Sequence, residues 1–66
     1  MAGNEKLYLS DVEAATVLGI KVSTLRKWRL VDGRGPKFRR LGRKLVRYSY
    51  SDLVLWLESQ PTGGQN

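Results

Sequence analysis

The 66-residue sequence contains no cysteine and no histidine. Without cysteine there is no disulfide framework, and without either residue the usual ligands of structural zinc are missing. The same gaps remove the common nucleophile–base pairs, which need a histidine, a cysteine or a suitably placed lysine. Acidic residues are scarce as well, six against twelve basic ones, and no group of them has metal-ligand spacing. These absences argue against an enzyme and against any bound metal or cofactor. Long apolar runs are also missing: Leu53-Val54-Leu55-Trp56-Leu57 is the longest, far too short to cross a bilayer. The opening Met1-Ala-Gly-Asn-Glu-Lys lacks the apolar core of a signal peptide. The expectation is a soluble cytoplasmic protein with no membrane partner.

What is present fits one small domain. Its core must come from a few large side chains, with Trp28, Trp56, Phe38, Tyr8, Tyr48 and Tyr50 as candidates. The net charge is +6, and its distribution matters more than its sum. From Arg34 to Arg47 run seven cations (Arg34, Lys37, Arg39, Arg40, Arg43, Lys44, Arg47) with no acidic residue among them. Such a face calls for a polyanion, either nucleic acid or an anionic membrane surface.

The neighbouring sequence decides for DNA. Residues 1–6 read as a disordered start and 60–66 as a disordered tail, leaving 7–59 as the domain. Leu7 and Leu9 suit a short extended lead-in. Ser10 and Glu13 form a capping box, and helix one should run from Asp11 to Leu18 with Val12, Ala15 and Leu18 facing inward. Gly19 can take the left-handed conformation that ends a helix, and Ile20 plugs the corner that follows. Helix two should start near Val22 and persist to Val31. Its Val22, Leu25 and Trp28 share one side at i, i+3, i+6. Lys21, Ser23, Thr24, Arg26 and Lys27 remain for the outer face, where hydroxyls and cations can reach phosphates and base edges. Arg29 falls on the edge of the buried side, so its stem should snorkel or its guanidinium pair.

Asp32-Gly33-Arg34-Gly35-Pro36 stops helix two. No Gly-Lys-Ser/Thr follows it, so it is not a nucleotide phosphate cradle. Lys37–Leu41 and Leu45–Tyr48 read as two strands joined at Gly42-Arg43-Lys44. A two-stranded hairpin is marginal alone, so Phe38, Val46 and Tyr48 should anchor it on the helices. Arg39, Arg40, Arg43, Lys44 and Arg47 then fall on the other side and at the tip, a cationic wing. Arg43 and Lys44 suit a minor groove and its phosphates. Ser51-Asp52 should cap a last helix, Asp52 to Ser59, closing the core through Leu53 and Trp56. The fold class is mostly α with a small β-hairpin: a single winged helix-turn-helix.

The pieces in this order resemble the small excisionase and AlpA-type DNA-binding proteins, a winged-helix branch related to the MerR regulators. The resemblance rests on Tyr8-Leu9-Ser10, Ala15 with Leu18-Gly19-Ile20, and Ser23-Thr24-Leu25-Arg26-Lys27-Trp28. It continues through Gly35-Pro36-Lys37-Phe38, Gly42-Arg43-Lys44-Leu45-Val46-Arg47-Tyr48, Ser51-Asp52-Leu53 and Trp56-Leu57. It implies double-stranded DNA as partner, bound through helix two and the wing, at attachment-site arms or an operator. It also implies bending of that DNA, an integrase steered toward excision, and several copies associating cooperatively along the duplex. The implied place is the nucleoid of a bacterial or phage-infected cell. With no effector domain or dimer coiled coil in these residues, an architectural role is favoured over a sensor. Two other readings stay open: a small transcriptional regulator at one operator, and a protein-interaction module using Val54 and Leu55 or the basic hairpin.

Overall fold

The computed structural model describes residues 7–63. The expected disordered start, 1–6, lies outside the described residues, as do positions 64–66 of the expected tail; residues 60–63 are exposed and belong to no helix or strand. The chain order is β1 (Tyr8–Leu9), α1 (Asp11–Leu18), α2 (Val22–Lys27), β2 (Arg39–Leu41), β3 (Leu45–Ser49) and α3 (Tyr50–Glu58).

Helix α1 is closed at both ends by its own sequence. Ser10 Oγ accepts from the Glu13 N–H at 3.1 Å, and Glu13 Oε1 accepts from the Ser10 N–H at 2.9 Å. At the other end Gly19 adopts φ 75°. Its N–H donates to Thr16 O at 3.1 Å and the Ile20 N–H to Ala15 O at 3.0 Å, the paired bonds of a Schellman stop. The buried stripe of α1 is Ala14 and Ala15, with Leu18 beside them. Val12, expected inside, is 54% exposed. With Ala14 and Ala15 at the centre of the contact, position 12 rotates to the rim. The two alanines let α2 approach closely.

Helix α2 follows after one extended residue, Lys21, and no side chain caps it. Leu25 is its buried centre. The α-helical backbone ends at Lys27, short of the expected Val31, and widens into a single π turn over Trp28–Asp32. Gly33, at φ 64°, closes that turn by donating its N–H to Trp28 O. Trp28 is held from several directions. Its ring lies 5.6 Å from that of Trp56, and the Arg34 guanidinium sits 5.3 Å from it. Gly35 passes so close that a Cβ there would come within 3.3 Å of the indole. The widened turn leaves Leu30 and Val31 in solvent.

The sheet has three antiparallel strands in the order β1-β3-β2, one more than the expected hairpin. The lead-in is itself a strand: Tyr8 opposes Ser49 and Leu9 opposes Tyr48. Across the wing Arg39 opposes Arg47, Arg40 opposes Val46, and Leu41 opposes Leu45. Ser49 rather than Ser51 caps α3, accepting from the Asp52 N–H at 3.4 Å, so the helix begins two residues earlier than expected. Ser51 Oγ instead lies 3.0 Å from Ser49 Oγ.

Leu9, Ala14, Ala15, Leu25, Val46, Tyr48 and Leu53 form the core, with Leu18, Ile20, Val22, Trp28 and Phe38 packed around it. Of the aromatics expected inside, Tyr8 and Tyr50 are exposed. Tyr8 shares the outer sheet face with Ser49, and Tyr50 starts α3. Trp56 closes the molecule against Trp28 of helix two, whereas Leu53 reaches the core alone. Two close-packed helices, a three-stranded sheet whose β2–β3 hairpin is the wing, and a closing helix make a winged helix-turn-helix.

Candidate nucleic-acid interface

Around α2 the expected outward residues are placed as follows. Lys21, Ser23 and Lys27 are exposed and Thr24 is half-buried. Arg26 is exposed but committed: its Nε donates to Asp11 Oδ2 at 2.8 Å and its Nη2 to Asp11 Oδ1 at 3.4 Å. The Arg26 hydrogen bond holds the Asp11 carboxyl below its ordinary 3.8, against partial burial, which raises it. The same bond raises the Arg26 guanidinium further above its ordinary value. Asp11 is thus a site neighbour that the sequence marks only as the first residue of α1. Its partner lies fifteen positions away, and only the crossing of α1 and α2 brings them together.

Of the two courses expected of it, Arg29 takes the second: its guanidinium is buried and paired and does not snorkel to solvent. Its side chain is 10% exposed. Its Nη1 donates to Tyr48 Oη at 3.2 Å, and the guanidinium lies 5.7 Å from the centre of Phe38. The same Nη1 stands 3.9 Å from Asp11 Oδ2. Tyr48, Arg29, Asp11 and Arg26 therefore form one polar line from the core to the surface of α2.

Directly opposed residues of antiparallel strands share a face, so register sorts the wing cations. Arg39 and Arg47 stand together on the outer face, where they line a shallow groove of about 340 Å³ with Tyr8 and Leu41. Arg47 Nη1 donates to Val46 O at 2.9 Å. Arg40 does not share that face, contrary to the expectation that it lay with the other cations. Opposite Val46, it shares that residue's face, where it stays exposed and lays its guanidinium 5.6 Å from the centre of Phe38. Arg43 and Lys44 are exposed in the turn after Gly42, whose φ is 67°. Arg34 and Lys37, which the sequence marked only as part of the cation run, join Arg29 and Arg39 around an open pocket of about 490 Å³. The signal for them was the glycine-bracketed loop itself. Asp52 also lines that pocket.

Among the described residues no group of three potential metal ligands occurs, and no helix is long and apolar enough to cross a membrane. The cations instead occupy two surfaces, the outer side of α2 and the wing with its preceding loop. Both suit the regularly charged backbone of a duplex. No curated protein matches the chain. Residues 8–61 match the model of the helix-turn-helix domain family. With that match spanning nearly all of the described fold, the chain belongs to the helix-turn-helix domain family of DNA-binding proteins.

Proposed function

We propose that the protein binds and bends double-stranded DNA as an excisionase, steering an integrase of a phage or mobile element toward excision. Helix α2 enters the major groove with Lys21, Ser23, Thr24, Arg26 and Lys27. The wing supplies Arg39, Arg40, Arg43, Lys44 and Arg47 to phosphates and the adjacent minor groove. The observation that carries this reading is the exposed pair Arg43 and Lys44 at the wing tip, in the same small domain as the polar face of α2. Tip cations reaching past the groove read by α2 draw the flanking duplex inward. In this reading several copies sit side by side on attachment-site arms, in the cytoplasm at the nucleoid.

If about six phosphates are neutralised, log affinity falls against log salt with a slope of about −5. The test is a gel-shift titration on permuted fragments from the attachment region beside an integrase gene. A ladder of cooperative complexes whose mobility depends on site position supports the excisionase. One unbent complex at a promoter makes the protein a small transcriptional regulator. No affinity above nonspecific background removes both and leaves an interaction module.

A further inference from the structure

We propose that Asp11 is a positioning residue that makes Arg26 a reader of guanine. The proposal rests on the reading in which α2 lies in the major groove. An arginine on a solvated helix face has a long flexible stem, and the nearest phosphate captures it as readily as a base does. Arg26 is not free in that sense. Asp11 occupies one edge of its guanidinium, through Nε at 2.8 Å and Nη2 at 3.4 Å. The edge left over is the end-on fork of Nη1 and the second Nη2 hydrogen. That fork matches O6 and N7 of guanine, the commonest bidentate base contact. The side chain keeps 48% of its surface exposed for such a partner.

Asp11 is equipped for the task because it is anchored from behind. It belongs to α1, so it fixes Arg26 independently of the stem torsions of α2. Arg29 Nη1 lies 3.9 Å from the Asp11 oxygen that Arg26 uses, and that guanidinium is tied in turn to Tyr48 Oη at 3.2 Å. Tyr48 is 1% exposed and sits in the core. The base-reading fork is thereby referenced to the rigid interior, as precise recognition requires. The Asp11 carboxylate also repels phosphate, so the pair loses generic affinity in exchange for discrimination.

The experiment selects preferred duplexes from a randomised pool for the wild-type chain. Affinities for single-base variants of that site are then measured for wild type, Asp11→Asn, Arg26→Ala, Arg26→Lys and the Asp11→Asn/Arg26→Ala double variant. Wild type should prefer guanine at one position by about tenfold. Asp11→Asn, Arg26→Ala and Arg26→Lys should each flatten that position and leave the others intact. In the Arg26→Ala background Asp11→Asn should change nothing further at that base. Asp11→Asn should bind random duplex as well as wild type or better. Retention of the guanine preference by Asp11→Asn while Arg26→Ala loses it overturns the positioning role alone. Retention by Arg26→Ala or Arg26→Lys overturns Arg26 as the reader, with preferences at other positions still supporting α2 in the groove. Should Asp11→Asn fail to fold, Asp11→Ser, which also removes the carboxylate, takes its place with the same expected and overturning outcomes. Binding of duplex without any base preference in wild type overturns both the proposal and the reading beneath it.

Discussion

Arg26 and Arg29 are chemically like the cations of the wing tip and structurally their opposite. Arg26 and Arg29 are held by Asp11 and by Tyr48 with Phe38, whereas Arg43 and Lys44 sit exposed in a turn with no such partners among the described residues. A tethered guanidinium has already lost its conformational freedom and presents donors in a set direction. A free one keeps its entropy and responds to field more than to shape. The first arrangement suits discrimination between bases and the second suits affinity for any duplex. Under the proposed function, one domain divides recognition between a stiff surface and a compliant one.

The strongest way to break this contrast is to remove the frame that stiffens α2. Leu53 is fully buried beneath the sheet and α1, and Leu53→Ala should cost about 2–5 kcal/mol in a denaturant titration. With so small a core, the loss should be visible as a population of unfolded chains at ordinary temperature.

Lys27→Ala tests the reading face without touching the frame, because the side chain is exposed. It should reduce discrimination at its base by about 1–3 kcal/mol and leave the thermal midpoint nearly unchanged. The tip should behave in the opposite manner. Arg43→Ala with Lys44→Ala should weaken binding to every sequence alike and make the salt slope shallower by about 2, since each phosphate contact contributes about 0.9. Equal loss across sequences, with an unaltered rank order of sites, is the expected signature.

The smallest effect is one of pH. The folded Asp11 carboxyl titrates below its ordinary 3.8 because of Arg26. A lowered folded value means that the pair's contribution is fully present above the unfolded value and disappears as pH falls through the folded one. Stability should therefore be indifferent to this pair from neutrality down to about pH 4 and decline only below that, with Asp11→Asn abolishing that part of the decline. The pair is largely solvated, so the change should be slight.

The fold was legible wherever a local interaction dictates it. Ser10 with Glu13 announces the start of α1, and Gly19 with Ile20 announces its end, because all the atoms involved lie within a few residues. Phe38, Val46 and Tyr48 could be read as wing anchors from simple alternation. Strand β1 escaped as a sheet member because two residues carry no periodicity. Ser49 and Ser51 are equally good caps on paper, and the bond from the Tyr50 N–H to Leu7 O at 2.8 Å shows how the sheet fixes the start of α3 early. The π turn at Trp28 goes with the packing of Trp28 against Trp56, which lies far along the chain and outside any local window of sequence. In the site, sequence gave the exposure of Lys21, Ser23, Lys27, Arg43 and Lys44 correctly. It missed the Asp11–Arg26 pair and the register that sets Arg40 on the face of Val46, since each depends on how two elements meet.

Strand β1 also sets an order of events in folding. The wing closes over a three-residue turn between Leu41 and Leu45, a local step on the microsecond scale. The pairing of Tyr8 with Ser49 joins positions about forty residues apart and must bear the loop-closure entropy of everything between. That long-range pairing becomes favourable only after α1 and α2 have docked and shortened the intervening chain. The expected order is therefore the local hairpin first and the β1–β3 pairing later. Amide exchange should record that sequence: the β1–β3 bonds open through fraying of the short outer strand, while Leu25 and Leu53 stay protected until the whole domain unfolds.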